Sequence, residues 1–232
     1  METVDFSFED ALKHLDEVVQ QMKEETPIPH CDTLTDEDLQ PGKLVQVNCT
    51  AMYVRVANKT LEGKVKDFAF HSVMNLIMKI VLDSYAFRRV EFQTDGGLVV
   101  LFDTPMKKDV EEVINVSAQV RSINEVVLQK LGQNPMGQIV TIGIDFGPIE
   151  GYCTGDSILD YYFAGETIET AKRLAGVKED CVLISEDIFI NLSDDMKKDL
   201  FDRQGEEEGL KYHYSRLINT MMQKWVEEQG NK

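Results

Sequence analysis

Residues 89–102 read RVEFQTDGGLVVLF, and this segment decides the fold reading because two short strand-like runs, Arg89 to Gln93 and Leu98 to Phe102, meet at Thr94-Asp95-Gly96-Gly97. Asp-Gly between β-branched and aromatic residues is a hairpin signal, since such a turn needs a positive φ that glycine adopts without steric cost. A long amphipathic helix is expected on each side. From Gly63 to Asp83, residues such as Val73, Ile77, Ile80 and Val81 make one broad apolar face, and a second helix is expected from Lys107 to Leu131. Further out, Val45, Val47, Cys49, Ala51 and Tyr53 alternate and then merge into an apolar run, as a strand entering a buried sheet does. Beyond the Asn134-Pro135 break, QIVTIGIDF (138–146) reads as another central strand.

The flanks are simpler. Phe8, Leu12, Leu15, Val18, Val19 and Met22 predict an N-terminal helix over 7–25, stopped by Pro27 and Pro29 and followed by a polar connection. Toward the C-terminus a helix is expected over Gly165 to Leu174, a strand over Cys181 to Ile184, and one or two short helices from Ser185 to Leu200 with Ser185 and Ser193 as N-caps. A last helix, His213 to Glu228, carries Leu217, Met221, Met222 and Trp225. This mixed order predicts an α+β domain, a sheet with helices packed on one face. The expected organisation is an N-terminal helix and connection (1–44), a central domain (45–204) and a C-terminal helix (205–232).

Composition bounds the function. The 232 residues are 43% hydrophobic and 28% charged, and no apolar stretch approaches the roughly 20 residues that span a bilayer, so a globular protein that crosses no membrane is expected. Asp plus Glu number 41 against 24 Lys plus Arg, a formal charge of -17, which repels nucleic-acid backbones and anionic membrane surfaces. A nucleotide is still compatible, because metal ions neutralise phosphates locally. Cys31, Cys49, Cys153 and Cys181 form no C-x-x-C pair, and the start METVDFSFED has neither a basic nor an apolar leader segment; a cytoplasmic protein with free thiols is expected. His14, His30, His71 and His213 show no zinc-ligand spacing.

Four segments carry a resemblance. AMYVRVANKT (51–60) looks like a strand and turn closing on Thr; FQTDGGLVVLF (92–102) is similar to a Gly-Asp-Gly hairpin; TIGIDFG (141–147) stands where an Ile-Gly-Ile strand ends in Gly; and FAGETIETAKRL (163–174) matches Gly-x-x-Val-Asn-x-Ala-x-Arg-Leu at Gly165, Ala171, Arg173 and Leu174. In this order and spacing, over about residues 45 to 200, they resemble the class III nucleotide cyclase homology domain, a ferredoxin-like mixed sheet. The Pro-x-Pro connection and the Trp near the end of the terminal helix (MMQKW) are similar to compact cytoplasmic cyclases of bacterial anti-phage defence that make cyclic pyrimidine nucleotides, the Pycsar type.

The resemblance implies conversion of UTP to cyclic UMP and pyrophosphate: the ribose 3' oxygen attacks the α-phosphorus, assisted by two Mn2+ or Mg2+ ions. It implies a head-to-tail homodimer, in which the metal residues of one protomer meet the base and transition-state residues of the other, and a downstream effector that responds to the cyclic nucleotide. In the family two carboxylates and a backbone carbonyl hold the ions. Asp95 matches the second carboxylate, or is a plain Asp-Gly turn residue, and Val56 is the residue whose carbonyl would serve. The first carboxylate is replaced by Arg55, whose guanidinium has no lone pair for a metal. Arg55 either pairs with Asp95 in an inactive protein or is an inactivating change in an otherwise competent cyclase.

Arg173 matches the family's transition-state Arg, or is a solvated helix charge, while Glu169 stands at the position of the ribose-contacting Asn. Lys172 lies about 100° round the helix from Arg173 and does not substitute for the missing Asn. The resemblance makes Glu91 the base-contact position: a carboxylate only accepts, so it suits the N–H of uracil or guanine. The resemblance makes Tyr162 the second base-contact position, with strand core as the alternative; bulk there tilts the choice from GTP to UTP. The readings left open are a uridylate cyclase, a guanylate cyclase, and a catalytically inactive cyclase fold that binds nucleotide.

Overall fold

The computed structural model describes residues 12–13, 30–31, 44–58, 64–130, 138–153 and 161–230. Leu12 and Lys13 are helical; the rest of the expected N-terminal helix and its polar connection, together with the Asn134-Pro135 break, lie outside the described residues.

Two long strands form the spine, β2 (Leu44–Asn58) and β5 (Gln138–Cys153). Their antiparallel ladder runs unbroken from Leu44 opposite Tyr152 to Asn58 opposite Gln138. Both are longer than the sequence signals. The sheet continues through β4 (Leu98–Phe102) and β3 (Phe87–Phe92) on one side, and through β7 (Val182–Ser185), β9 (Leu210–Ser215) and β8 (Arg203–Glu207) on the other, in the order β3-β4-β2-β5-β7-β9-β8. A short β1 (His30–Cys31) pairs with β2 in parallel, and β6 (Tyr161–Ala164) with β5.

Because strand side chains alternate between faces, β2 feeds two cores at once. Met52 and Val54 point to the face covered by the long helices α1 (Lys64–Leu82) and α2 (Lys107–Lys130), where they meet Val73, Ile77, Val113 and Val120. Val45, Val47, Cys49, Ala51 and Tyr53 point to the opposite face, where α3 (Glu166–Val177) contributes Ile168, Ala171 and Ala175. Burying each large aliphatic side chain contributes about 1.5–3 kcal/mol relative to leaving it exposed. The α+β class is the one expected from the sequence. The placement of α3 on its own face, apart from the long helices, is an addition that the apolar periodicity does not reveal.

Gly143 of β5 sets how closely α3 lies. A Cβ there would run into the carbonyl of Ala171 and come within 2.6 Å of the Ala175 nitrogen, so helix and strand backbones touch where a side chain would otherwise stand.

After β7, α4 (Glu186–Asn191) and α5 (Asp194–Leu200) are the two short helices expected. Ser185 accepts from the Ile188 N–H as a cap, whereas Ser193 begins α5 without a side-chain cap bond. The helix expected from His213 is corrected: residues 210–215 are strand, and α6 begins at Thr220 and runs to Gly230. The local period is two. Tyr212 and Tyr214 pack beside Leu183, while His213 is buried on the other side and stacks on Phe189 at 3.6 Å. The expected boundary between residues 204 and 205 consequently falls inside β8. Buried Arg121 of α2 fastens this end, donating to the Leu217 carbonyl at 2.7 Å and pairing with Asp180 at 3.2 Å.

Asp145 of β5 is 7% exposed, and burial pushes its carboxyl up to about 6, with Asp187 and Glu166 adding to the shift and a Ser185 hydrogen bond opposing it. The folded value lies above the unfolded one, so folding disfavours the ionised form: the cost is absent below the unfolded pKa, grows as pH rises, and is complete above about 6. Asp145→Asn is expected to raise stability by about 1–3 kcal/mol at neutral pH and by little near pH 4, as read by urea unfolding at the two pH values. A gain equal at both would show that ionisation is not its source. Gly143→Ala is expected to lose about 1–3 kcal/mol through forced separation of α3 from β5, read as a lower urea midpoint.

Candidate functional site

The α3 face of the sheet gathers polar groups at one end of β2. The hydroxyl end of the Tyr53 ring lies over Gly97, where a Cβ would come within 2.7 Å of the ring carbons, so the close approach requires glycine there. Its hydroxyl donates to Asp95 Oδ1 at 2.5 Å. Asp95 sits in the β3–β4 turn, in which Gly96 takes φ 80°, and its Oδ1 also accepts from the Gly97 N–H at 3.0 Å. Lys172 of α3 places Nζ 3.2 Å from Oδ2 and 5.7 Å from the centre of the Tyr53 ring. Both oxygens of the half-exposed Asp95 are thereby engaged.

The hydrogen bond from Tyr53 holds the Asp95 carboxyl below the usual carboxylate range, with Gly97 and Lys172 adding to it against a smaller opposing effect of burial. Burial raises the Tyr53 phenol, and the bond to Asp95 raises it further. Tyr53 is therefore a donor and no base at ordinary pH. Arg55 and Glu169 are both exposed and both act on Tyr53, Arg55 lowering its pKa and Glu169 raising it. Arg55 follows Tyr53 by two residues and so shares its face.

Glu91 belongs to the same face, across the row Glu91–Val99–Tyr53, two strand spacings or roughly 10 Å from Tyr53. Arg89 donates from Nε to the Glu91 carboxylate at 3.1 Å and lies over the Phe163 ring, 5.2 Å from its centre. Partial burial raises the Glu91 carboxyl, and Arg89 opposes that shift. Tyr162 is 63% exposed, whereas neighbouring Phe163 is buried in the core of the α3 face. Alternation along β6 thus makes Phe163, not Tyr162, the aromatic on the Glu91 side.

Arg173 is exposed and lines a cavity of about 140 Å³ with Val177, Glu207 and Leu210, away from Asp95. One chain does not bring Asp95 and Arg173 together. Among the described residues no ion pair joins Arg55 to Asp95; the cation on Asp95 is Lys172. Tyr53 and Lys172 are the residues that the sequence reading passed over. The signal was present, since the 100° that separates Lys172 from Arg173 is the rotation that aims Lys172 at the sheet.

The residues present do not fit the two-ion site that the resemblance implies. Arg55 has no lone pair to give, and Asp95 already accepts from three donors. Val56 lies opposite Val140 of β5, beyond Val54, where the pairing of β2 with β4 ends. Among the described residues no three His, Cys, Asp or Glu side chains are grouped to hold a metal.

No family model matches the chain, and no curated protein matches it by sequence. Solved structures do. The adenylyl cyclase CyaB from P. aeruginosa aligns with TM-score 0.60 and 17% identity, over 76% of this chain and 100% of that one. The guanylate cyclase domain of RhGC from Catenaria anguillulae, solved with GTP, aligns with TM-score 0.57 and 14% identity, over 77% and 100%. A class III adenylyl cyclase-like ATP-binding protein from Pseudomonas aeruginosa aligns with TM-score 0.58 and 19% identity over 93% of this chain, which spans about half (51%) of that protein. On these alignments the chain has the fold of the class III nucleotide cyclase domains.

Proposed function

We propose that the protein binds a nucleoside triphosphate on the α3 face of its sheet and, as its sequence stands, does not cyclise it. The observation that carries this reading is the closed state of Asp95, held by Tyr53, Gly97 and Lys172, with Arg55 in place of the other carboxylate. Two of the similar folds point the same way in their ligands: one is described as an ATP-binding protein and another was solved with GTP. Part of the catalytic set is missing. Tyr53 stays protonated, and Glu169 replaces a hydrogen-bond donor with an acceptor.

The base is uracil or guanine. Glu91 lies roughly 10 Å along the sheet from the Tyr53–Asp95 end, a span suited to a base at one end and phosphates at the other. An ionised carboxylate accepts from the N3–H of uracil or the N1–H and N2–H of guanine, and adenine and cytosine present no such edge. Of the two, UTP is the choice that the resemblance to the pyrimidine cyclases favours. A head-to-tail homodimer completes the site, because Arg173 faces away from Asp95 of its own chain.

A uridylate cyclase producing cyclic UMP for anti-phage signalling is the second reading. What favours it is Arg173, retained and exposed at the family's transition-state position on α3.

Incubation with Mn2+ and each of the four nucleoside triphosphates, read by mass spectrometry, separates the two: UTP is expected to bind by calorimetry while no cyclic product forms. Steady accumulation of cyclic UMP would establish the second reading instead. Arg55→Asp alone is expected to remain inactive, because Lys172 still occupies Asp95 and Glu169 still lacks a donor; recovery of turnover would show Arg55 to be the sole lesion. Glu91→Lys sets a donor against an N–H and is expected to weaken UTP binding about tenfold or more. Unchanged binding would place the base elsewhere.

A further inference from the structure

We propose that Lys172 and Arg55 take over the charge role of the two divalent cations, so that a triphosphate binds this face without any metal. The inference rests on the nucleotide-binding reading above and adds how the phosphates are held. A metal site of this fold runs in the order carboxylate, cation, phosphate. Here the first two members are present and the cation is part of the chain, since Lys172 Nζ stands 3.2 Å from Asp95 Oδ2.

The carboxylate is fixed rather than free to swing, because Tyr53 and the Gly97 N–H both hold its other oxygen. An ammonium has three donors; Asp95 takes one, and the Lys172 side chain remains 38% exposed, so the others face solvent. Arg55 is exposed, shares the face with Tyr53, and has no ion pair among the described residues. A guanidinium is permanently charged and presents paired N–H donors that match two phosphate oxygens. Glu169, one turn before Lys172 on α3, is the opposing charge on this face. A carboxylate at that point accepts from ribose hydroxyls, which leaves the phosphates to the two cations. In a chain of net charge -17 this paired cation is the local feature that lets an anionic ligand approach.

Calorimetric titration of the full chain with UTP at constant ionic strength, in excess EDTA and then in Mn2+, tests the inference. The two affinities are expected to agree within about threefold; a tightening of about tenfold or more with Mn2+ overturns it and leaves the nucleotide-binding reading standing. Lys172→Met and Arg55→Gln, both at the surface, are each expected to weaken UTP about tenfold or more while uridine binding is unaffected. Parent-like UTP affinity in both variants also overturns it. Failure of every nucleoside triphosphate to bind under either condition removes the nucleotide-binding reading itself, and this inference with it.

Discussion

The pairing of β2 with β5 is the constraint on which everything else in this molecule depends. Two strands of fifteen and sixteen residues, hydrogen-bonded along their length, give a stiff plank with two usable faces. One face is apolar where Met52, Val54 and Val56 meet the long helices. The other is apolar only until Tyr53, after which Arg55 turns the same row of side chains toward water. A single strand therefore builds part of both cores and then delivers the first polar group of the site, and its register with β4 decides that Asp95 lies beside it.

Around Asp95 the usual balance of such a face is reversed. A carboxylate at a turn ordinarily stays solvated or recruits a cation from solution; here the cation comes with the chain. Tyr53 supports the arrangement in three ways, by lying on Gly97, by donating to Asp95 and by covering Lys172. The exposed ion pair alone adds little, since solvent screens it and long side chains resist being fixed. Its value is positional: with the carboxylate locked by a buried phenol, the ammonium is held at a defined place on an otherwise anionic molecule.

Much of this was legible in the sequence. The Asp-Gly hairpin, both long helices, the central strands and the Ser185 cap follow from local chemistry, because turn geometry, period and capping act within a few residues. Local patterns misled at the C-terminus, where Leu217, Met221 and Trp225 extended a helical pattern backward over residues that alternate as a strand. Tyr162 shows a related limit: spacing from Gly165 identifies its position along β6, but which face that position occupies depends on pairing with β5.

By itself the sequence determined the fold class, the turn that carries Asp95, the absence of a carboxylate at Arg55 and the acidic balance of the chain. These are properties of residue identity and short-range order. Only the tertiary structure decided that α3 packs on its own face, that Lys172 and not Arg55 neutralises Asp95, and that Arg173 points away from it. Each depends on the rotation and height of α3 over the sheet, and those are fixed by the backbone contact at Gly143, a distance of 32 residues from Ala175 in the chain and of one helix–strand interface in space.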